Sequence, residues 1–224
     1  MEIQHPEFKE GETKYYNLVL ERVKSALKKN SIKAQIFQTS REAIDYVMSK
    51  MNEGDVVGVG GSRTLLQIGM IDELIKSKKI KFLNRWREGI TPKEELETRH
   101  KNLSADVFLT STNAITLDGK LVNIDGMGNR IAAMIFGPKK VYFFVGRNKI
   151  VKDVDAAIDR IRNVAAPKNA ARYNLSLPCT EQGVCDEPNC YGARICNYIL
   201  IIERGFTPWS RRLNVLLINE DLGF

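Results

Sequence analysis

Four runs in this chain, Asp55-Val-Val-Gly-Val59, Asp106-Val-Phe-Leu109, Lys140-Val-Tyr-Phe-Phe-Val145 and Val215–Ile218, are too short for helices. They are also too continuously apolar for strands with one wet face, so each reads as a strand buried on both sides. Helix-patterned stretches fill the intervals. Residues 12–29 place Leu18, Val19, Val23, Ala26 and Leu27 at helical spacing, and Asp153–Val164 does the same with Val154, Ala157, Ile158 and Ile161. Strand alternating with helix predicts an α/β fold built on an open, mostly parallel sheet with helices on both faces.

The remaining elements fit that frame. Ile32–Phe37 reads as a strand, and Ser40 as the cap of a helix through Met51 with Glu42 early in it. Ser62 opens a helix carrying Leu65, Leu66, Ile68, Met70, Ile71, Leu74 and Ile75, and Ile80–Leu83 reads as a short strand. Thr91-Pro92 starts a charged helix, threonine as cap and proline at its first turn. Asp118-Gly119 between Ala114-Ile-Thr116 and Lys120-Leu-Val122 predicts a tight hairpin. Residues 128–136 read as a short helix and Ile199–Ile202 as a strand. At 224 residues, one large domain is expected over 12–224, after an N-terminal segment at 1–11.

The net charge of +7 invites a nucleic-acid reading. Its distribution argues against one. The lysines and arginines sit in helix-like stretches such as Arg22–Lys29 and Lys76–Lys81, where they look like solvated faces or ends, and no nucleic-acid motif accompanies them. A small anionic partner accounts for the excess equally well. Apolar runs are too short for a membrane span, and the polar N-terminus has no apolar export region, so the cytosol is the expected location. Self-association is left open.

Ligands of open α/β sheets bind beyond the carboxyl ends of the strands, and glycine-rich or polar loops fall there. Gly58-Val-Gly-Gly-Ser-Arg-Thr64 lacks both the Walker lysine and a complete dinucleotide fingerprint. Gly60, Gly61, Ser62 and Thr64 are its candidate anion binders, against the plainer reading of a βα turn capped by Ser62. The segment Thr110–Arg130 is unusually rich in small polar and acidic residues. Within it Asn113 is a candidate to orient a carbonyl or carboxylate, Asp125 a candidate base or anchor, and Asn129 a further anion contact. Asp118 reads as turn chemistry, and Arg130 as the partner of a neighbouring acid. Gly146-Arg-Asn-Lys149 would bring Lys149 to the same edge, to bind an anion or move a proton. His5 and His100 lie in polar segments away from these loops and suggest no histidine-based triad.

All four cysteines, Cys179, Cys185, Cys190 and Cys196, fall in one Gly- and Pro-containing loop at 178–196. Without an export signal, thiolates gathered this way suggest a zinc ion or an iron–sulfur cluster, with free redox-active thiols as the alternative. The C-x5-C-x4-C-x5-C spacing matches neither ordinary zinc knuckles nor bacterial ferredoxin runs.

These blocks together resemble the LUD-domain lactate-utilisation proteins. The resemblance is carried by GVGGS at 58–62, ADVFLTSTNAIT at 105–116, DGKLVNIDGMGNR at 118–130 and FGPKKVYFFVGRNKIV at 136–151. AIDRIRNVAAPKNAAR at 157–172, the cysteine loop and the terminal INEDLG extend it. Family members tend to space the second and third cysteines as C-x2-C, whereas four residues separate Cys185 from Cys190 here. The resemblance implies the Rossmann-like fold of ribose phosphate isomerases, CoA transferases and folate cyclo-ligases, a parallel sheet with a small added β region. It also implies a place in an iron–sulfur-linked system oxidising lactate to pyruvate, beside iron–sulfur partner subunits, and so favours a cluster over zinc.

Three functions follow as alternatives. One is a component of that lactate system, binding a hydroxy acid or a redox partner. Another is a stand-alone isomerase, transferase or ligase acting on a phosphorylated or CoA-linked compound. The third is a non-catalytic assembly protein with a structural zinc. No sequence element supplies a hydride acceptor, so electrons in the first would pass to a cluster or partner.

Overall fold

The computed structural model describes residues 6–209 and 211–224; the expected segment 1–11, including His5, lies partly outside them. Ten strands are present among the described residues: β1 (Lys33–Phe37), β2 (Val56–Val59), β3 (Lys81–Phe82), β4 (Val107–Thr110), β5 (Ala114–Thr116), β6 (Leu121–Asp125), β7 (Lys140–Gly146), β8 (Ile150–Val151), β9 (Tyr198–Ile202) and β10 (Leu213–Ile218). The helices are α1 (Pro6–Lys29), α2 (Ser40–Lys50), α3 (Arg63–Gln67), α4 (Met70–Lys76), α5 (Pro92–Lys101), α6 (Asn129–Ile135), α7 (Val154–Arg160), α8 (Ala166–Arg172) and α9 (Pro178–Glu181).

Six strands form one all-parallel sheet in the order β1-β10-β7-β4-β2-β3. The period-two alternation of side chains divides its core into two layers. Tyr142, Phe144, Val57, Leu109 and Leu216 pack with α2, α3 and α4 on one face. Val141, Phe143, Val145, Phe108 and Leu217 pack on the other with Leu20, Val23 and Leu27 of α1 and Ala133 and Met134 of α6. Phe143 and Phe144 are both wholly buried, and each contributes on the order of 2–3 kcal/mol by leaving water. The expected Rossmann-like sheet with helices on both faces is present.

A second sheet, ordered β8-β5-β6-β9, supplies the small added β region. Its hairpin β5–β6 is antiparallel and turns at Gly119, with φ +83°. Ile115 and Leu121 join the main core, while Ala114, Val122 and Ile124 meet Ala157, Ile161 and Ala165 behind them. Among the described residues no helix is long and apolar enough to cross a membrane.

Local differences from the sequence reading have identifiable causes. The α2 cap is Thr39, not Ser40: its hydroxyl accepts from the Glu42 N–H, and Glu42 closes a capping box. The single helix expected after Ser62 is two, because Gly69 takes φ +77° and turns the chain between α3 and α4. The helix expected to end at Val164 continues to Arg172 through one π turn at Ile161–Ala165. Pro167 has no N–H for the residue 163 carbonyl, and the Ala166 N–H reaches back five residues to Ile161. The first helix begins at Pro6, ahead of residue 12.

After α6 the chain passes Gly137 at φ +108°, where a β-carbon would lie 2.2 Å from the Leu103 carbonyl oxygen. Gly137→Ala is therefore expected to lower stability by about 3 kcal/mol, combining left-handed strain with a backbone clash. The shift in a chemical denaturation midpoint measures it, and a loss below about 0.5 kcal/mol would show the turn to be pliable.

Candidate functional site

β7, β4 and β2 are neighbours in the sheet, so the loops that follow them leave its carboxyl edge side by side. These are the three segments 58–64, 110–130 and 146–149, and side chains lock them together.

The buried Arg130 guanidinium is the first lock. Nη1 donates to Asn123 Oδ1 at 2.8 Å and the Ser111 carbonyl at 3.2 Å; Nη2 donates to Asn113 Oδ1 and the Ile124 carbonyl, both at 2.9 Å. Nε lies 3.4 Å from Asp125 Oδ2, the expected pairing with a neighbouring acid. Asn113 Oδ1 also accepts from the Ile124 N–H, and the Asn113 N–H donates to Asn123 Oδ1. Arg160 is the second lock, donating from Nη1 to the Asn113 carbonyl at 2.8 Å and from Nε to the Asn148 carbonyl at 3.1 Å.

Lys149 is the third. Its side chain is only 3 % exposed, and Nζ donates to Thr64 Oγ1 at 2.7 Å and Ser111 Oγ at 2.8 Å. Among the described residues no carboxylate pairs with it. Burial, and then the Arg160 and Arg130 charges, push its pKa down to about 7 from the usual 10.5.

The three loops open onto a cavity of about 320 Å³. Gly61, Ser62, Thr64, Asn113, Asp125, Asn129 and Lys149 all line it. Gly60 does not. It packs behind the wall, where a β-carbon would come 3.1 Å from Arg130 Cγ and 3.0 Å from Thr110 Oγ1. Ser62 lines the cavity and caps α3 by accepting from the Leu65 N–H, as the plainer reading expected. Asp118 stays in the hairpin as turn chemistry, accepting a short bond from the Thr116 hydroxyl.

Sequence reasoning missed most of the cavity's charge. Arg63, Arg85, Arg99 and Arg172 join Arg130 and Lys149 on the wall, against a single acidic side chain, Asp125, among the described residues. Arg85 is 9 % exposed; it donates from Nη1 to Glu95 at 3.0 Å, and its buried Nε has no partner among the described residues. Arg63, Arg99 and Arg172 lie on three different helices and Arg85 in a loop, with no common spacing, so no local pattern reveals them. Gly223 was missed too: at φ +70°, its position would place a β-carbon 2.4 Å from Thr64 Oγ1 and 3.1 Å from Lys149 Nζ.

The cysteine loop lies against the same wall. Cys179, Cys185, Cys190 and Cys196 are free, partly buried, and line one small cavity with Leu177, Pro178, Ala166 and Ile195. Burial raises the Cys196 thiol to about 11, and Cys185 is the next contributor; Cys179 is raised by burial and by Cys190 and Cys185. The four sulfurs are thus within electrostatic reach of one another. Arg194 braces the loop, donating to Glu187 at 2.8 Å and the Cys196 carbonyl at 3.0 Å. Among the described residues no three His, Cys, Asp or Glu side chains converge closely enough to hold a metal ion. Four free thiols nonetheless line one small pocket, a donor chemistry that suits a thiophilic centre, although Arg162, Asp186, Glu187 and Arg194 line it too.

Comparison with known proteins decides the family. The LUD domain profile matches residues 20–218, nearly the whole chain. The chain belongs to the LUD-domain family. That family is associated with lactate utilisation. No curated protein matches the chain. Among solved structures, a DUF162 family protein from Deinococcus radiodurans is 13 % identical, with 91 % of this chain and 98 % of that one covered and a TM-score of 0.48. The eIF2B beta subunit of Chaetomium thermophilum is 14 % identical, covering 53 % of this chain and 41 % of its own, with a TM-score of 0.35. The eIF2B delta subunit of the same organism is 15 % identical, covering 70 % and 60 %, with a TM-score of 0.34.

The lowered Lys149 pKa carries a signed prediction. Between about pH 7 and 10.5 the unfolded chain holds a proton that the folded protein has released. Stability from this residue is therefore fully present above the upper value and is lost as pH falls toward the lower one. Relative to Lys149→Met, the wild type should gain stability as pH rises from 7 to 10, by at most about 1.4 kcal/mol per pH unit. Stability profiles that stayed parallel for the two proteins across that range would overturn this, since they would mean that the lysine keeps its proton in the fold.

Proposed function

We propose that this protein is a component of an iron–sulfur-linked system oxidising lactate to pyruvate, with the cationic cavity holding the hydroxy acid and the cysteine loop holding a cluster. One observation carries the reading: the cavity and the thiol pocket share a wall. Ala166, Ile195 and Cys196 line both, so the Cys196 thiol stands between the cationic cavity and the pocket of thiols, which supports passing electrons from one to the other.

The residues divide the work. The cluster of cavity arginines, with Arg85 Nε still seeking a partner, suits a carboxylate. Among the described residues Asn113 Nδ2 has no protein partner, while its Oδ1 is held by Arg130 and Ile124, leaving an amide donor to orient the substrate hydroxyl or carbonyl. Lys149, near neutrality in its burial, is placed to accept the hydroxyl proton. Asp125, set against Arg130, holds the clamp and lines the site, while Ser62, Thr64 and Asn129 give it polar walls. Cys179, Cys185, Cys190 and Cys196 would hold the cluster, which supplies an electron acceptor when bound. Lactate oxidation releases two electrons, so iron–sulfur partner subunits complete the path.

A second reading is supported by the number of cations. Six basic side chains exceed what one carboxylate needs, which also suits a phosphorylated or CoA-linked substrate of an isomerase, transferase or ligase.

Anaerobic purification with iron, sulfide and zinc analysis tests the metal, and a thermal-shift comparison of lactate, pyruvate and sugar phosphates tests the cavity. The expected result is iron and sulfide in the wild type, their loss in Cys179→Ser and Cys196→Ser, and stabilisation by lactate or pyruvate. Zinc without iron, in a protein indifferent to both acids, overturns the proposal in favour of a structural metal.

A further inference from the structure

Lys149 is used unlike an anion-binding lysine. It lies deep in the cavity wall, and every charged group set against it, Arg130 and Arg160, carries the same sign as an ammonium would. Asp125, the one acidic side chain lining the cavity among the described residues, is paired with Arg130.

Its hydrogen bonds account for two N–H groups and no more. Ser111 has one hydroxyl proton, directed to the Phe144 carbonyl at 2.6 Å, so toward Lys149 its oxygen accepts. The Thr64 hydroxyl proton points to Ser111 Oγ at 3.4 Å, so Thr64 also accepts from Lys149. An amine donating two N–H bonds keeps a free lone pair, whereas an ammonium would carry a third N–H with no acceptor among the described residues. A buried amine flanked by cations is the arrangement in which lysine acts as a nucleophile toward carbonyl carbon.

We propose that Lys149 captures a small 2-oxo acid as an imine, the carboxylate lying among the arginines of the same cavity. The inference rests on the lactate reading for its ligand class, because the oxidation product of a 2-hydroxy acid is a 2-oxo acid. The Nζ lone pair forms a bond to the carbonyl carbon as the C=O π bond breaks. The resulting carbinolamine loses the former carbonyl oxygen as water, with both amine protons, leaving a C=N bond. Nothing is oxidised or reduced, and hydrolysis reverses the step.

The test treats the full-length protein with pyruvate and borohydride at neutral pH, then maps adducts by peptide mass, with a pyruvate thermal shift measured in parallel. The expected result is a reduced adduct on the Lys149 peptide forming about ten-fold or more faster than on any other lysine. It should be absent with lactate, and absent from Lys149→Arg and Lys149→Met. Indiscriminate labelling of surface lysines, or equal labelling in the variants, overturns the proposal. A pyruvate shift without trapping at Lys149 overturns the imine and leaves the anion site standing; neither shift nor trapping overturns both.

Discussion

One buried guanidinium holds the site together. The segment from Ser111 to Arg130 folds back on itself as β5, a hairpin and β6, and its polar groups would otherwise face inward without partners. Arg130 collects two backbone carbonyls, two asparagine oxygens and one carboxylate around a single planar fork. Lysine could not replace it, since three donors on one nitrogen cannot span that spread of acceptors. Leaving such carbonyls and amides buried and unpaired costs about 1–3 kcal/mol each. The clamp therefore sets where Ser111, Asn113 and Asp125 stand, and through Ser111 it sets the position of Lys149.

The cavity is electrostatically unfinished. Among the described residues five arginines and Lys149 face one acidic side chain across about 320 Å³, and only some of the arginines are balanced nearby, as Arg85 and Arg99 are by sharing Glu95. Mutual repulsion and desolvation both act against the folded chain here. A protein that needed only stability would place apolar side chains in such a space. Retaining the charges makes sense where an anion arrives to complete the set, and the depressed Lys149 fits the same field, since losing its proton relieves part of the repulsion.

The sheet was legible because burial on both faces leaves a signature inside each strand: Val141–Val145 and Val215–Ile218 announce themselves without any partner. The convergence of three loops followed from parallel topology alone, since β2, β4 and β7 must all release their loops on one edge. What stayed hidden depended on partners distant in sequence. Arg160 reads as a solvated helix cation until its bonds to Asn113 and Asn148 are seen. Arg85 sits in the loop between β3 and α5, with no periodicity to mark it. The break at Gly69 and the π turn before Pro167 are backbone events that apolar spacing passes over, because Leu74 and Ile161 stay buried either way.

The π turn links the two halves of the site. By widening the helix at Ile161–Ala165 it turns Ile161, Ala165 and Ala166 toward the cavity, and α8 then carries Asn169 and Arg172 along the same wall. The chain returns through the cysteine loop, which docks where Gly126 leaves room: a β-carbon there would stand 3.2 Å from the Ile195 backbone. The Asn197 N–H closes the contact on the Asp125 carbonyl at 3.0 Å. Asp125 thus touches Arg130 through its side chain and, through its backbone, Asn197, the residue that follows the cysteine loop. The backbone at Asn197, where the chain leaves the cysteine loop, is therefore fixed to the same residue that pairs with Arg130, so the clamp and the end of the loop share one anchor.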